Sequence, residues 1–125
     1  MRTLPSQLRP ITLIALLLCG PISAQAADKK VLLLAGAPSH GPGAHEHNAG
    51  VLLLQKCLAG VEGLKVDVVL NGWPKDAAAF NGVAAVVMYC DGGAKHMAIQ
   101  ENRLGVLGAL ARRGVGIGCV HYAVE

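Results

Sequence analysis

The stretch KVLLLAGAPSHGPGAHEHNAG, residues 30–50, decides the fold. Residues 30–35 are a short apolar run behind Lys29 and Lys30 and closed by Gly36. An apolar run with no polar alternation is a parallel strand buried on both faces. Residues 36–47 then form a loop rich in Gly, Pro and His, and Asn48 is the expected N-cap of a mostly buried helix over 49–59, ended by Gly60. Strand, loop and helix in that order are the opening of a βαβ unit.

Working outward, the pattern repeats. LKVDVVL (64–70) alternates enough to be an edge strand, and Asn71-Gly72-Trp73-Pro74 is a turn. Residues 76–80 make a helical turn stopped by Asn81-Gly82, and VAAVVMY (83–89) reads as the most buried strand. A Gly-rich loop over 90–95 leads to an amphipathic helix over 98–113, with Ile99, Leu104, Leu107 and Leu110 on one face. Gly114 sits at its C′ position, Arg112 and Arg113 complement its dipole, and VGIGCV (115–120) is the fourth strand. Strands separated by crossovers give an α/β fold: a doubly wound parallel sheet, flavodoxin- or Rossmann-like, in the order 2-1-3-4. No helix follows to cover the fourth strand, so the expectation is an incomplete domain.

Ligands of such sheets bind at the carboxyl ends of the strands, near the switch point between the first and third. The loops to watch are therefore 36–47, 71–75, 90–96 and 121 onward. His40, His45, His47 and His121 fall in them, and His96 closes the third.

Composition narrows the function. The chain has 125 residues, enough for one small domain, and 53% hydrophobic against 15% charged residues excludes intrinsic disorder. Aromatics are only 3%, which disfavours a sheet that displays rings to RNA or sugars. The net charge is +3, near +1 without Arg2 and Arg9, too little for a nucleic-acid partner. Those two arginines precede an uncharged apolar run over 11–19, too short to span a bilayer, and Ala24-Gln25-Ala26 reads as a cleavage site. Residues 1–26 are thus an expected signal peptide, residues 27–125 the mature domain, and the location periplasmic or secreted. Membrane contact is expected only through that signal, because Leu18 is too large to precede a lipidated Cys19. Cys57, Cys90 and Cys119 read as buried free thiols, with a Cys90–Cys119 bridge as the alternative. The oligomeric state is open.

Phosphate-binding motifs are absent, so no nucleotide cofactor is expected. In an extended loop, His45-Glu46-His47 would put both imidazoles on one side. With His40 and His121 they form a candidate set for zinc or another divalent metal. A metal-free acid/base site and purely structural histidines stay open beside it. His121, at a strand-to-helix elbow, lies where a helix dipole favours the neutral ring, and Glu125 at i+4 is its candidate partner. These two are the candidate catalytic residues. Asp91, Gly92 and Gly93 are candidate substrate-binding residues whose amides could face an oxyanion. Trp73 could stack on a sugar or merely cover an edge.

Together, GAPSHGPGAHEHNAG, VVLNGWP, MYCDGG and GVGIGCVHYAVE resemble the ThuA-like (trehalose utilization) domain of the class I glutamine amidotransferase-like superfamily. The resemblance covers residues 29–125 and about the first half of that domain. In the amidotransferases an elbow after such a strand presents a nucleophilic cysteine. Here His121 occupies the elbow and Cys119 lies inside the strand, which argues against glutaminase activity. The resemblance implies an association with sugar metabolism, not a known reaction. Joined to the leader and the histidine set, it gives the expectation of an exported, hydrolase-like domain acting on a carbohydrate or its derivative through a His-lined, metal-assisted site. The alternative is a non-catalytic carbohydrate-binding module or a truncated inactive fragment. Export is checked by N-terminal sequencing of secreted or periplasmic protein, which should begin near Ala27; Met1 on a soluble cytoplasmic product overturns it.

Overall fold

A computed structural model describes residues 28–125, and the expected signal peptide lies outside them. Four strands are present: β1 (Lys29–Ala35), β2 (Leu64–Val69), β3 (Val83–Tyr89) and β4 (Gly116–Val120). They form one all-parallel sheet in the order β2-β1-β3-β4. β1 is paired on both edges, so Leu33 faces Val68 on one side and Val87 on the other.

The pleat sends alternate residues of β1 into two separate cores. Leu32 and Leu34 join Val86, Met88, Leu107 and Leu110, and helix α2 (Arg103–Arg112) covers that face. Leu33 and Ala35 join Val51, with Val31, Leu54, Val66 and Val87 packed around them under helix α1 (His47–Leu58). Helices on opposite faces are what right-handed crossovers produce when the sheet is wound in two directions from β1. β1, not β3, is the most buried strand: Leu32 to Ala35 are at most 2% exposed, whereas β3, although also paired on both edges, has the largely exposed β4 as its outer neighbour and alternates buried with partly exposed residues.

Both helices depart from expectation. α1 starts at His47, so Glu46 rather than Asn48 stands at the N-cap, and its carboxylate accepts from Gly43 N–H at 2.7 Å. Asn48 instead pairs with Asn71, donating to its side chain at 2.7 Å and accepting its backbone N–H at 3.1 Å. Only His47 and Val51 of α1 are buried, while Leu52 and Leu53 are exposed. α2 is shorter than the expected 98–113 because a separate 3-10 turn (Met97–Ile99) precedes it and Glu101 takes a left-handed φ of 52°. That break turns Ile99 and Leu104 outward, leaving Leu107 and Leu110 as the buried face. Gly114, at φ 83°, closes α2 as expected. Cys57, Cys90 and Cys119 are free thiols, and Cys57 and Cys119 are exposed rather than buried. Among the described residues no helix is long and apolar enough to cross a membrane.

α1 lies directly on β3 at one point. A Cβ on Gly50 would run into the ring of Tyr89. Gly50→Ala therefore improves helix propensity by roughly 1 kcal/mol but forces an overlap that costs about 1–3 kcal/mol. The expected net result is a lower urea midpoint with an unchanged m-value; a raised midpoint would show that the ring moves aside freely.

Candidate functional site

The carboxyl ends of β1, β3 and β4 lie side by side, and four histidines meet there. His45 and His121 have ring centroids 5.0 Å apart, His45 and His47 6.1 Å, His47 and His121 6.3 Å, and His40 and His45 3.9 Å. The structure therefore brings together the four candidate ligands named from the sequence. The period-two argument for His45 and His47 does not hold, however. His45 has a left-handed φ of 50° and His47 is already in the first turn of α1, so the two rings converge through a bend and not along an extended chain.

Each ring is held differently. His45 Nδ1–H donates to Asp91 Oδ1 at 2.9 Å, and Tyr122 stacks on the ring at 5.1 Å. His47 is 2% exposed and its Nδ1–H donates to the Ala37 carbonyl at 3.2 Å. Those partners set the tautomer and leave Nε2 as the free lone pair on both rings. On His47 that atom is buried and has no hydrogen-bond partner. Its nearest ionic neighbour is Asp91 Oδ1, at 3.5 Å. His121 is exposed and sits at φ 63°, a strained elbow that aims its ring back over the strand ends. His40 is exposed, with Nδ1 2.9 Å from the Ser39 hydroxyl.

Two overlapping groups offer ligand atoms within 4.8 Å of one another: His45, His47 and His121, and His40, His45 and Asp91. The first group is the better metal cage. Its half-buried His45 and buried His47 already donate their outer N–H groups to a carboxylate and a carbonyl, as ligating histidines do, and it contains the orphaned Nε2. Nitrogens on one tetrahedral zinc lie about 3–3.5 Å apart, so the rings need close by only an ångström or so.

No protein-family model, curated protein or solved structure matches this chain. The site is read from its own chemistry.

The other candidates from the sequence fall elsewhere. Glu125 makes no hydrogen bond or ion pair with His121 among the described residues. The segment after β4 is a 3-10 turn (His121–Val124), in which i+4 does not return to the same face, and four residues carry no useful helix dipole. Gly93 does not present a free amide for an oxyanion. Gly93 N–H is 3.3 Å from the Glu125 carbonyl, and a Cβ on Gly92 would strike the Tyr122 carbonyl. The glycines let residues 121–125 lie across this loop. Trp73 packs against the α2-side core, 5.2 Å from Phe80 and beneath Arg103, so it covers an edge. Asp91 does belong to the site, but as the partner of His45. His96 is structural: Nε2–H donates to Ala123 at 3.0 Å and Nδ1 accepts from Ala98 N–H.

Tyr89, Tyr122 and Ser39 were not singled out in the sequence, although each adjoins a strand end or a histidine. Tyr89 lies 5.3 Å from His121, and Tyr122 4.5 Å. Burial pushes the thiol pKa of Cys90, beside Asp91, up, which disfavours the nucleophilic thiolate.

Hydrogen bonds from Ser39 and His45 hold the Asp91 carboxyl at about 2, below its ordinary 3.8. A depressed folded-state pKa gives stability that is complete above the unfolded value and lost as pH falls from about 4 to about 2. Asp91→Asn in metal-free protein should flatten the acid limb of a stability-versus-pH curve over that window, measured by denaturant titration. An unchanged acid limb would show that the Asp91 contacts contribute nothing to folding.

Proposed function

We propose that the chain is an exported ThuA-like domain that processes a carbohydrate or a carbohydrate derivative through a metal-assisted, hydrolase-like site. One observation carries the metal-assisted part: the buried, unpartnered Nε2 of His47, facing His45 and His121. A buried nitrogen without a partner costs free energy unless something binds it. A divalent cation restores that loss, and an all-imidazole set suits zinc among the first-row metals that imidazole binds. Support for the carbohydrate part is the sequence resemblance quoted above. The inward packing of Trp73 weighs against a simple sugar-binding surface.

In this reading His45, His47 and His121 hold the metal, which supplies Lewis acidity toward a substrate oxygen. The chain's own groups do the rest. Asp91 keeps the His45 lone pair turned inward and raises its basicity, and the Ala37 carbonyl does the same for His47. Tyr122 fixes the plane of His45. His40 stays exposed and hydrogen-bonded to Ser39.

The test is zinc titration by calorimetry on chelator-treated protein. One equivalent should bind. His121→Gly should abolish tight binding while leaving the melting temperature nearly unchanged, because glycine accepts the left-handed φ that His121 strains to adopt. Asp91→Ala should weaken binding roughly 10–100-fold, and His40→Ala should not. Equal affinity in wild type and His121→Gly, or no binding at all, overturns the metal site.

A further inference from the structure

Beside the histidines, on the other side of Ser39 and Asp91, lies a cleft of about 430 Å³. Its walls come from the residues just beyond β1, β2 and β3, with Gly36, Gly72 and Cys90 among them. That is the crevice outside the strand ends where open α/β sheets take their ligands. Gly36 keeps its wall thin: a Cβ there would lie 2.7 Å from Cys90 Cβ and 3.0 Å from His47 Nδ1. The cleft and the histidine cluster are therefore separated by little more than the Asp91 and Ser39 side chains.

The polar groups of this cleft are unbalanced. Asp91 is engaged by His45, and the Gln100 amide donates to the carbonyls of Ala94 and His96. Arg103 donates to Met97 and Glu101 through its terminal nitrogens, but its Nε is buried without an acceptor. Lys95 lines the cleft, and its ammonium group makes no hydrogen bond or ion pair among the described residues. The groups left without a partner are thus the Arg103 Nε–H and the Lys95 ammonium. A sugar hydroxyl could accept from either, but only an anionic oxygen group also neutralises the Lys95 charge and makes the stronger charge-assisted bonds.

We infer that this cleft binds a small organic acid, a molecule bearing a carboxylate or a phosphate monoester, with its anionic end at Lys95 and Arg103 and its other end toward Asp91 and the histidines. The volume suits a molecule of monosaccharide size. The inference rests on the proposed function and narrows it, since the carbohydrate derivative becomes an acidic one: a sugar acid or a sugar phosphate.

The test uses gluconate, glucose 6-phosphate and glucose as probes, with calorimetry and thermal shift on wild-type protein, Lys95→Ala and Lys95→Glu. Lys95 is exposed and unpartnered, so its variants should fold normally. At least one acidic probe should bind and raise the melting temperature, glucose should not, and binding should weaken with added salt. Lys95→Ala should lose about tenfold or more in affinity, and Lys95→Glu should abolish binding. Arg103→Lys, which keeps the charge but loses the planar fork, should also weaken it. Gluconate bound in preference to glucose 6-phosphate identifies a carboxylate site, and the reverse a phosphate site. Zinc affinity is measured in the same variants and should not change, so loss of anion binding with zinc retained separates this inference from the metal reading. It is overturned if neither acid binds at millimolar concentration, if glucose binds as well as the acids, or if Lys95→Glu binds them unchanged.

Discussion

The burial of β1 between two parallel neighbours is the constraint on which the site depends. Leu32, Leu33, Leu34 and Ala35 are removed from water on both faces, so the strand can neither shift register nor flip without exposing one of two cores. That pins Gly36 beside Cys90 and fixes where the chain enters the histidine loop. Parallel pairing with β3, and of β3 with β4, then brings the residues after three strands to a common edge. His45 and His47, Asp91, and His121 come from those three segments.

Asp91 is the joint between them. Its carboxylate reaches from the end of β3 to the loop after β1, while Tyr122, from the end of β4, stacks on the same His45 ring. The loop is tied at its far end too, by Glu46 holding Gly43 and by the paired amides of Asn48 and Asn71. A stretch with two prolines and three glycines would be costly to order without such ties. Three strained backbone positions, at His45, Asn71 and His121, lie at or beside this edge. Non-glycine residues persist in that region only where their surroundings hold them, which fits a site whose geometry takes precedence over local comfort.

Much of the architecture was legible in advance. Apolar runs at 30–35 and 83–89 identify buried parallel strands, and their alternation with helical segments makes the crossovers right-handed; the order 2-1-3-4 follows once the first connection winds one way and the next two the other, as they do. The switch-point rule then selects the loops that carry the histidines. Helix ends were less legible. The capping preference of Asn48 loses to a side-chain pair with Asn71, and the amphipathic pattern of 98–113 runs on through a break at Glu101 that local propensity does not signal.

What the sequence by itself determined is the period and hand of the fold and the inventory of groups at one sheet edge. Those follow from local rules: the alternation of side chains along a strand, the chirality of the crossover, and the residue types in each loop. Only the tertiary structure decided which groups act together, because hydrogen-bond partners far apart in the chain choose them. Asp91 became the partner of His45 and not a loop donor, Trp73 turned inward onto Phe80, and Glu125 was carried away from His121 by a 3-10 turn. His47 gained its distinction, a buried Nε2 without a hydrogen-bond partner, from the carbonyl of Ala37 ten residues earlier, which takes up Nδ1. No periodicity in the sequence encodes that contact.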